Sequence, residues 1–269
     1  MRDIIRAHTC TDAWLQAVSH LRVQQGLRDY NLVLEIKRPL ELAPHEKAIA
    51  AVVNDFLVEN DKHSVNTVVN TIFPASLYRK HGAAGLYERY HKIVPQLRNH
   101  PDTKWGTYFL RMTNRIGDDV NGVRPLEYLI EKLRRQCEVT APKRAVYELN
   151  LIDPLTDIPI YNNGSDKGYQ MGGPCLSHIS FKLKSDKTLI LTALYRSHYY
   201  LERALGNFYG LALLQDFVAK EAGIEAAELV CHSTMAVLDT ENIKKRDVMT
   251  MLDTCIRLQE NNLPAATKE

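Results

Sequence analysis

The 269-residue chain has few cysteines and no pattern among them. Cys10, Cys137, Cys175, Cys231 and Cys255 are widely spaced and odd in number, with no CxxC and no His pair at zinc-like spacing. No disulfide framework and no structural metal are therefore expected, and a reduced, cytoplasmic protein is the natural reading. Long apolar runs are also missing. "LILTALY" and "GLALL" fall far short of a bilayer's width. The opening "MRDIIRAHTCTDAW" has no apolar core of the kind a signal peptide carries, so neither a membrane span nor a signal peptide is expected. Charge of one sign is absent too. The net charge of +2 argues against a nucleic-acid polymer as partner, while leaving room for a local basic pocket that holds one small anion. There are no internal repeats, low-complexity segments or linkers, so residues 1–269 read as a single domain with enough chain to bury a real core.

What is present is a mixture of helical and strand patterns. "TDAWLQAVSHLRVQQG" predicts a helix capped by Thr11, with Trp14, Val18 and Leu21 on one face. "YNLVLEIKRP" alternates as a strand ended by Pro39. "APHEKAIAAVVNDFLVEN" places Ile49, Val52, Val53, Phe56 and Leu57 at helical spacing. Residues 64–111 are rich in aromatics and read as helix plus loops, and Pro125 opens a further amphipathic helix. The later stretches "KRAVYELNL", "SHISFKLK", "KTLILTALYRS" and "AELVCHSTMAVLD" are strands. Between the last two lies "ALGNFYGLALLQDFVAKEAG", apolar on most sides and ended by Gly223, which predicts a buried central helix. Helices and strands are partly segregated, which fits an α+β fold.

The chemistry centres on "MGGPCLSHISF", residues 171–181. A free Cys is commonly a small buried residue, so Cys175 alone says little. Its surroundings say more. Pro174 fixes the backbone just before it, and Arg196-Ser197 ends the following strand. An arginine near a thiol favours the nucleophilic thiolate, and Arg with Ser is a ready phosphate clamp. A Cys-His hydrolase is a poor alternative. His178 is three residues from Cys175 in a strand, which points the two side chains to opposite faces. His232 and His178 are candidate general bases, although a lone His in a strand is more often a core residue, and His198 lies beside Arg196, where it can tune the site.

Taken in order, "PKRAVYELNL", "GGPCLSHISF", "LYRSHYYLERALGNFYGLALL" and "LVCHSTMAVLD" resemble the thymidylate synthase and deoxycytidylate hydroxymethylase superfamily. The similarity covers about 100 residues, from Lys143 to Asp239, and is faint before "WGTYFLR", which is similar to the family's aromatic-Gly segment ending in Arg. The resemblance implies a mixed sheet packed by helices and a sheet-to-sheet homodimer. It implies that Cys175 is the nucleophile that adds to C6 of a pyrimidine ring. Arg196 and Ser197 match the phosphate binders, and Lys143 and Arg144 match the basic pair that reaches the phosphate from the partner subunit. Asn207 matches the amide that reads the pyrimidine edge; a helix N-cap is an equal alternative for it. Arg28 sits roughly where the family has another phosphate arginine.

The chain also departs from that pattern. Leu176 stands where the family has His, and Tyr199 where it has the Asp that helps hold folate. Val237 and Asp239 replace the sugar-holding His and Tyr, leaving Asp239 as an acceptor for a sugar hydroxyl. "AIAAVVNDFLVEN" falls where the catalytic Glu is expected but offers Val52, with Asp55 or Glu59 as substitutes in another register. The end, "NNLPAATKE", is unlike the family's closing tail. The expected function is C5 one-carbon transfer to a pyrimidine nucleoside monophosphate, with methylenetetrahydrofolate as the implied cofactor and hydroxymethylation favoured over methylation. The alternative is a non-catalytic nucleotide-binding regulator or scaffold.

Overall fold

The structure, a computed structural model, describes residues 4–98, 107–113, 124–151 and 174–262. The Gly172-Gly173 pair, Trp105-Gly106 and the C-terminal "LPAATKE" lie outside the described residues.

The first helix, α1, spans Cys10–Leu21. Its cap is Thr9, whose extended backbone lets its hydroxyl accept the Asp12 N–H at 3.2 Å. Thr11, expected as the cap, lies inside the helix and pairs with the Tyr209 hydroxyl at 2.6 Å. Four helices follow: α2 (Pro44–Glu59), α3 (Val65–Ile72), α4 (Ala75–Arg98, bent at Gly82) and α5 (Tyr108–Thr113). Three more complete the described set: α6 (Pro125–Cys137), α7 (Ala204–Ala222) and α8 (Lys245–Glu260).

The strands are β1 (Ile5–Ala7), β2 (Arg28–Ile36), β3 (Tyr147–Asn150), β4 (Leu176–Leu183), β5 (Thr188–Tyr195), β6 (His198–Tyr199) and β7 (Glu225–Val237). They form one sheet in the order β1-β2-β7-β5-β4-β3, with β6 pairing to the far end of β7. Pairing is mixed: β7 runs parallel to β5 and β6 and antiparallel to β2. β1 and β6 are too short for a period-two pattern to reveal them in the sequence.

Alternation gives the sheet two unlike faces. Leu32, Leu34, Ile36, Ile179, Phe181, Leu191, Tyr195, Leu229 and Cys231 are buried in the core with α1 and α7. Their alternates, including Val33, Ile190, Leu194, Val230 and His232, remain half-exposed.

The buried central helix is α7, and its close neighbour is α3. A Cβ on Gly206 would stand 2.7 Å from Val68 Cβ and 2.8 Å from the Val65 carbonyl oxygen. At Gly210 the Ile72 Cβ would be 2.9 Å away. The two glycines let the backbones approach where any side chain would force them apart. Gln215, inside the same helix, donates to the carbonyls of Leu189 at 2.7 Å and Glu228 at 3.0 Å, tying α7 to β5 and β7. The helix ends on Gly223 in the left-handed region, φ 75°.

Gly206→Ala is expected to destabilise the fold. Overpacking costs about 1–3 kcal/mol and helix propensity returns about 1 kcal/mol, so a net loss of up to about 2 kcal/mol should appear in urea unfolding. Unchanged stability contradicts the packing account.

Candidate active site

Pro174 is buried and Cys175 half-buried, at the point where β4 begins. Arg196 grips both residues. Its backbone N–H donates to the Cys175 carbonyl at 2.9 Å and its Nε–H to the Pro174 carbonyl at 3.1 Å. On the other side, a β-bulge between Leu176 and His178 shifts the β4–β5 register. There the Tyr108 hydroxyl oxygen accepts the N–H groups of both Cys175 and Leu176 at 3.3 Å. The carbonyl and amide of Cys175 are thus both held, which fixes the direction in which its Cβ leaves the backbone.

The electrostatics run against simple expectation. Burial pushes the Cys175 thiol up, and this outweighs the opposing pull of the Arg196 and Arg203 guanidinium groups. In the protein without a bound anion the thiol is the resting form. Burial also raises the Tyr108 phenol to about 12, so it keeps its proton while accepting the two amides.

Tyr108 and Arg203 were not singled out from the sequence. Tyr108 lay inside the aromatic-Gly segment without a role, and its phenol is revealed only by the bulge it fills. Arg203, first flank of α7, is placed by a turn rather than by spacing. Its N–H donates to the Tyr199 carbonyl at 3.2 Å. Both oxygens of the Asp239 carboxylate accept backbone N–H groups of that turn, Leu201 at 2.9 Å and Glu202 at 3.2 Å. Burial raises this carboxyl to about 6. Lys62 Nζ lies 2.6 Å from Glu202 and ties the same turn to the segment before α3.

Behind the turn lies a closed polar chain. His198 Nδ1 is 2.9 Å from Ser233 Oγ, and its Nε2 is 3.0 Å from Asn207 Nδ2. Ser233 Oγ is in turn 3.0 Å from the Tyr200 hydroxyl. The imidazole stacks on the Tyr195 ring at 3.9 Å and 6°. Burial lowers its pKa to about 3, so the ring is neutral. Asn207 is not the N-cap of α7; Arg203 holds that place, and the Asn207 amide belongs to this chain.

The other sequence candidates are placed as follows. Ser197 is half-buried beside Arg196. Tyr199 is 45% exposed; burial raises its phenol, and the nearby Cys175 adds to that rise. Arg28 is exposed and shares a row with Val237 and Tyr199 across three neighbouring strands. Lys143 and Arg144 are exposed at the opposite end of β4, where the Arg144 carbonyl accepts the Leu183 N–H at 3.1 Å. At about 3.3 Å per residue, the length of β4 puts them roughly 25 Å from the Cys175 of their own chain.

Val52, Asp55 and Glu59 of α2 line a groove with Arg246, Asp247, Thr250 and Met251 of α8. Helix α3 lies against α7 at the two glycines. His178 is unsuited as a base for Cys175, because its two ring nitrogens pair with Asn150 and Glu148 at 2.7 Å each. Among the described residues, no group of three or more His, Cys, Asp or Glu is arranged to hold a metal ion. No described helix is long and apolar enough to cross a membrane.

The balance at Cys175 predicts a pH profile for its alkylation by iodoacetamide. The midpoint should lie above that of an ordinary cysteine, and Arg203→Gln should move it higher still. A midpoint below the ordinary value contradicts the dominance of burial.

No family model matches the chain. Three curated relatives each carry the name "Putative thymidylate synthase". The protein from Methanothermobacter thermautotrophicus is 32% identical over 122 residues, 45% of this chain and 49% of its own length. That from Methanothermobacter marburgensis is 38% identical over 72 residues, 27% and 32% of the two chains. That from Methanococcoides burtonii is 30% identical over 165 residues, 59% and 66%. The chain thus spans about half the length of the first of these relatives. Among solved structures, the thermostable thymidylate synthase A from Bacillus subtilis superposes with a TM-score of 0.49 at 12% identity, covering 92% of this chain and 84% of that one. By its similarity to the curated relatives, the chain is a divergent member of the thymidylate synthase-like superfamily.

Proposed function

We propose that the protein transfers a one-carbon unit to C5 of a pyrimidine nucleoside monophosphate through a covalent bond between Cys175 Sγ and C6. The observation that carries this reading is the grip on Cys175. The peptide is held on both sides, with the Arg196 and Arg203 charges acting on the sulfur. In the step, the thiol gives up its proton and the Sγ–C6 bond forms. The C5=C6 electrons pass to C5 and the C4 carbonyl, so C5 becomes the nucleophile. C5 attacks a one-carbon electrophile and loses its proton, and the thiolate departs as the double bond re-forms. Arg196 and Ser197 hold the phosphate in this reading, and Asn207 faces the base.

Methylenetetrahydrofolate is the donor that the family resemblance implies. The described residues do not fit it well. Tyr199 offers one exposed phenol where a pterin's N–H groups ask for a carboxylate's paired acceptors. No step is routed through folate here. Hydroxymethylation is favoured over methylation in this reading, because an exocyclic methylene at C5 that water can reach would be hydrated.

We also propose that the half-exposed sheet face, with Val33, Ile190, Leu194 and Val230, packs against a second copy. Lys143 and Arg144, remote from their own Cys175, would then serve the partner's phosphate. Arg28 remains a further phosphate candidate, and Asp239 acts by shaping the Arg203 turn.

The test is a screen of pyrimidine monophosphates, with and without labelled methylenetetrahydrofolate, read by product mass. A hydroxymethylated nucleotide is expected, and Cys175→Ser should abolish it while binding persists. In the same screen, Lys143→Ala with Arg144→Ala should weaken binding strongly, since each charge-assisted contact is worth about 1.5–3 kcal/mol. A methylated product reverses the product choice. Binding without any product makes the chain a nucleotide-binding module.

A further inference from the structure

We propose that His198 sets which end of the Asn207 amide faces the base, so that the imidazole tautomer and the pyrimidine recognised are one coupled choice. This deepens the proposed function and rests on its placing of Asn207 at the base.

The geometry leaves the imidazole little freedom. Its ring plane is fixed by the stack on Tyr195 at 3.9 Å, with Tyr200 and Phe208 closing in at 5.0 Å and 5.8 Å. His198 is 1% exposed and Asn207 4%. The groups facing the ring are Ser233 and Cys231 from β7, Tyr195 from β5, Tyr200 from the turn, and Asn207 and Phe208 from α7. The thiol and the phenols among them are all pushed upward by burial, so none brings a charge that would stabilise an imidazolium. A neutral imidazole has one N–H and one bare nitrogen, and both are already matched to a neighbour.

Two arrangements satisfy the chain. With the proton on Nδ1, the ring donates to Ser233 Oγ and Nε2 accepts from Asn207 Nδ2. Asn207 Oδ1 is then left for a donor on the ligand. With the proton on Nε2, the ring donates to Asn207 Oδ1, the amide having turned over. Ser233 then donates to Nδ1, the Tyr200 hydroxyl donates to Ser233, and the Asn207 NH2 group is left for an acceptor. Either ring state forces one amide state, because the mismatched pair would place two donors or two acceptors face to face in a buried site.

A pyrimidine edge distinguishes the two. At N3, uracil presents an N–H donor and cytosine a bare acceptor. Uracil therefore selects the Nδ1–H ring, and cytosine the Nε2–H ring. An Asn without such a partner could turn freely. Coupled to His198, its turn is linked to a proton shift inside the core.

Histidine 15N NMR on the full chain tests this, unliganded and with uridine, deoxyuridine, cytidine or deoxycytidine monophosphate. His198 should remain neutral between about pH 5 and 8, with Nδ1–H under a bound uracil and Nε2–H under a bound cytosine. His198→Phe keeps the ring stack and removes both nitrogens. It should weaken binding about tenfold, the worth of one hydrogen bond. It should also speed hydrogen exchange of the Asn207 side-chain amide at least tenfold in the unliganded protein. Titration of His198 near its ordinary pKa, or one tautomer under both bases, overturns the proposal. If no nucleotide binds, the functional reading fails by itself. The coupling then stands if the Asn207 amide exchange responds to His198→Phe, and falls if it does not.

Discussion

The structure around the candidate site depends on how one peptide is held. The Cys175 carbonyl takes the Arg196 N–H, and the Cys175 amide reaches the Tyr108 hydroxyl. Each bond depends on a larger element. Arg196 is where it is because β5 pairs with both β4 and β7. Tyr108 is where it is because α5 packs against α3, α4 and α6. The bulge between Leu176 and His178 opens an amide that the ladder no longer serves, and the Tyr108 phenol serves it. A peptide held on both sides keeps the Cys175 Cβ in one place, the kind of fixed geometry that a positioned nucleophile requires.

The same economy explains the turn from Tyr200 to Arg203. The Asp239 carboxylate, expected to accept a sugar hydroxyl, accepts two backbone N–H groups in the structure. Asp239 thereby brings Arg203 within reach of the Cys175 charge. Burial nevertheless wins at the thiol. The cysteine therefore rests as the neutral thiol.

Much of this was legible in the sequence, and the remainder was hidden for identifiable reasons. The strand pair around Cys175 and Arg196 shows in plain alternation, and the central helix in its nearly continuous apolar surface from Ala204 to Ala222. The Gly206 and Gly210 spacing was visible, but its meaning was not. Only the contact distances show that α3 lies against α7 there. Thr9 and Thr11 are equally good caps by composition, and backbone angles decide between them. Tyr108 acts through a bulge, and Arg203 through a turn capped from 36 residues further along the chain. Neither kind of placement leaves a periodic trace. The polar chain through His198 leaves no trace in the sequence, because its partners, Asn207, Ser233 and Tyr195, come from three separate elements.

The central claim is that Cys175 adds to C6 of a pyrimidine. Addition makes C5 carbanion-like, so each reversible cycle lets the C5 hydrogen exchange with solvent, with no one-carbon donor required. The direct measurement is deuterium incorporation at C5 of bound pyrimidine monophosphates in D2O. The account predicts exchange with the wild-type protein and none with Cys175→Ser, although that variant still binds the nucleotide. Exchange at the same rate in Cys175→Ser, or no exchange in a wild-type protein saturated with nucleotide, would contradict it.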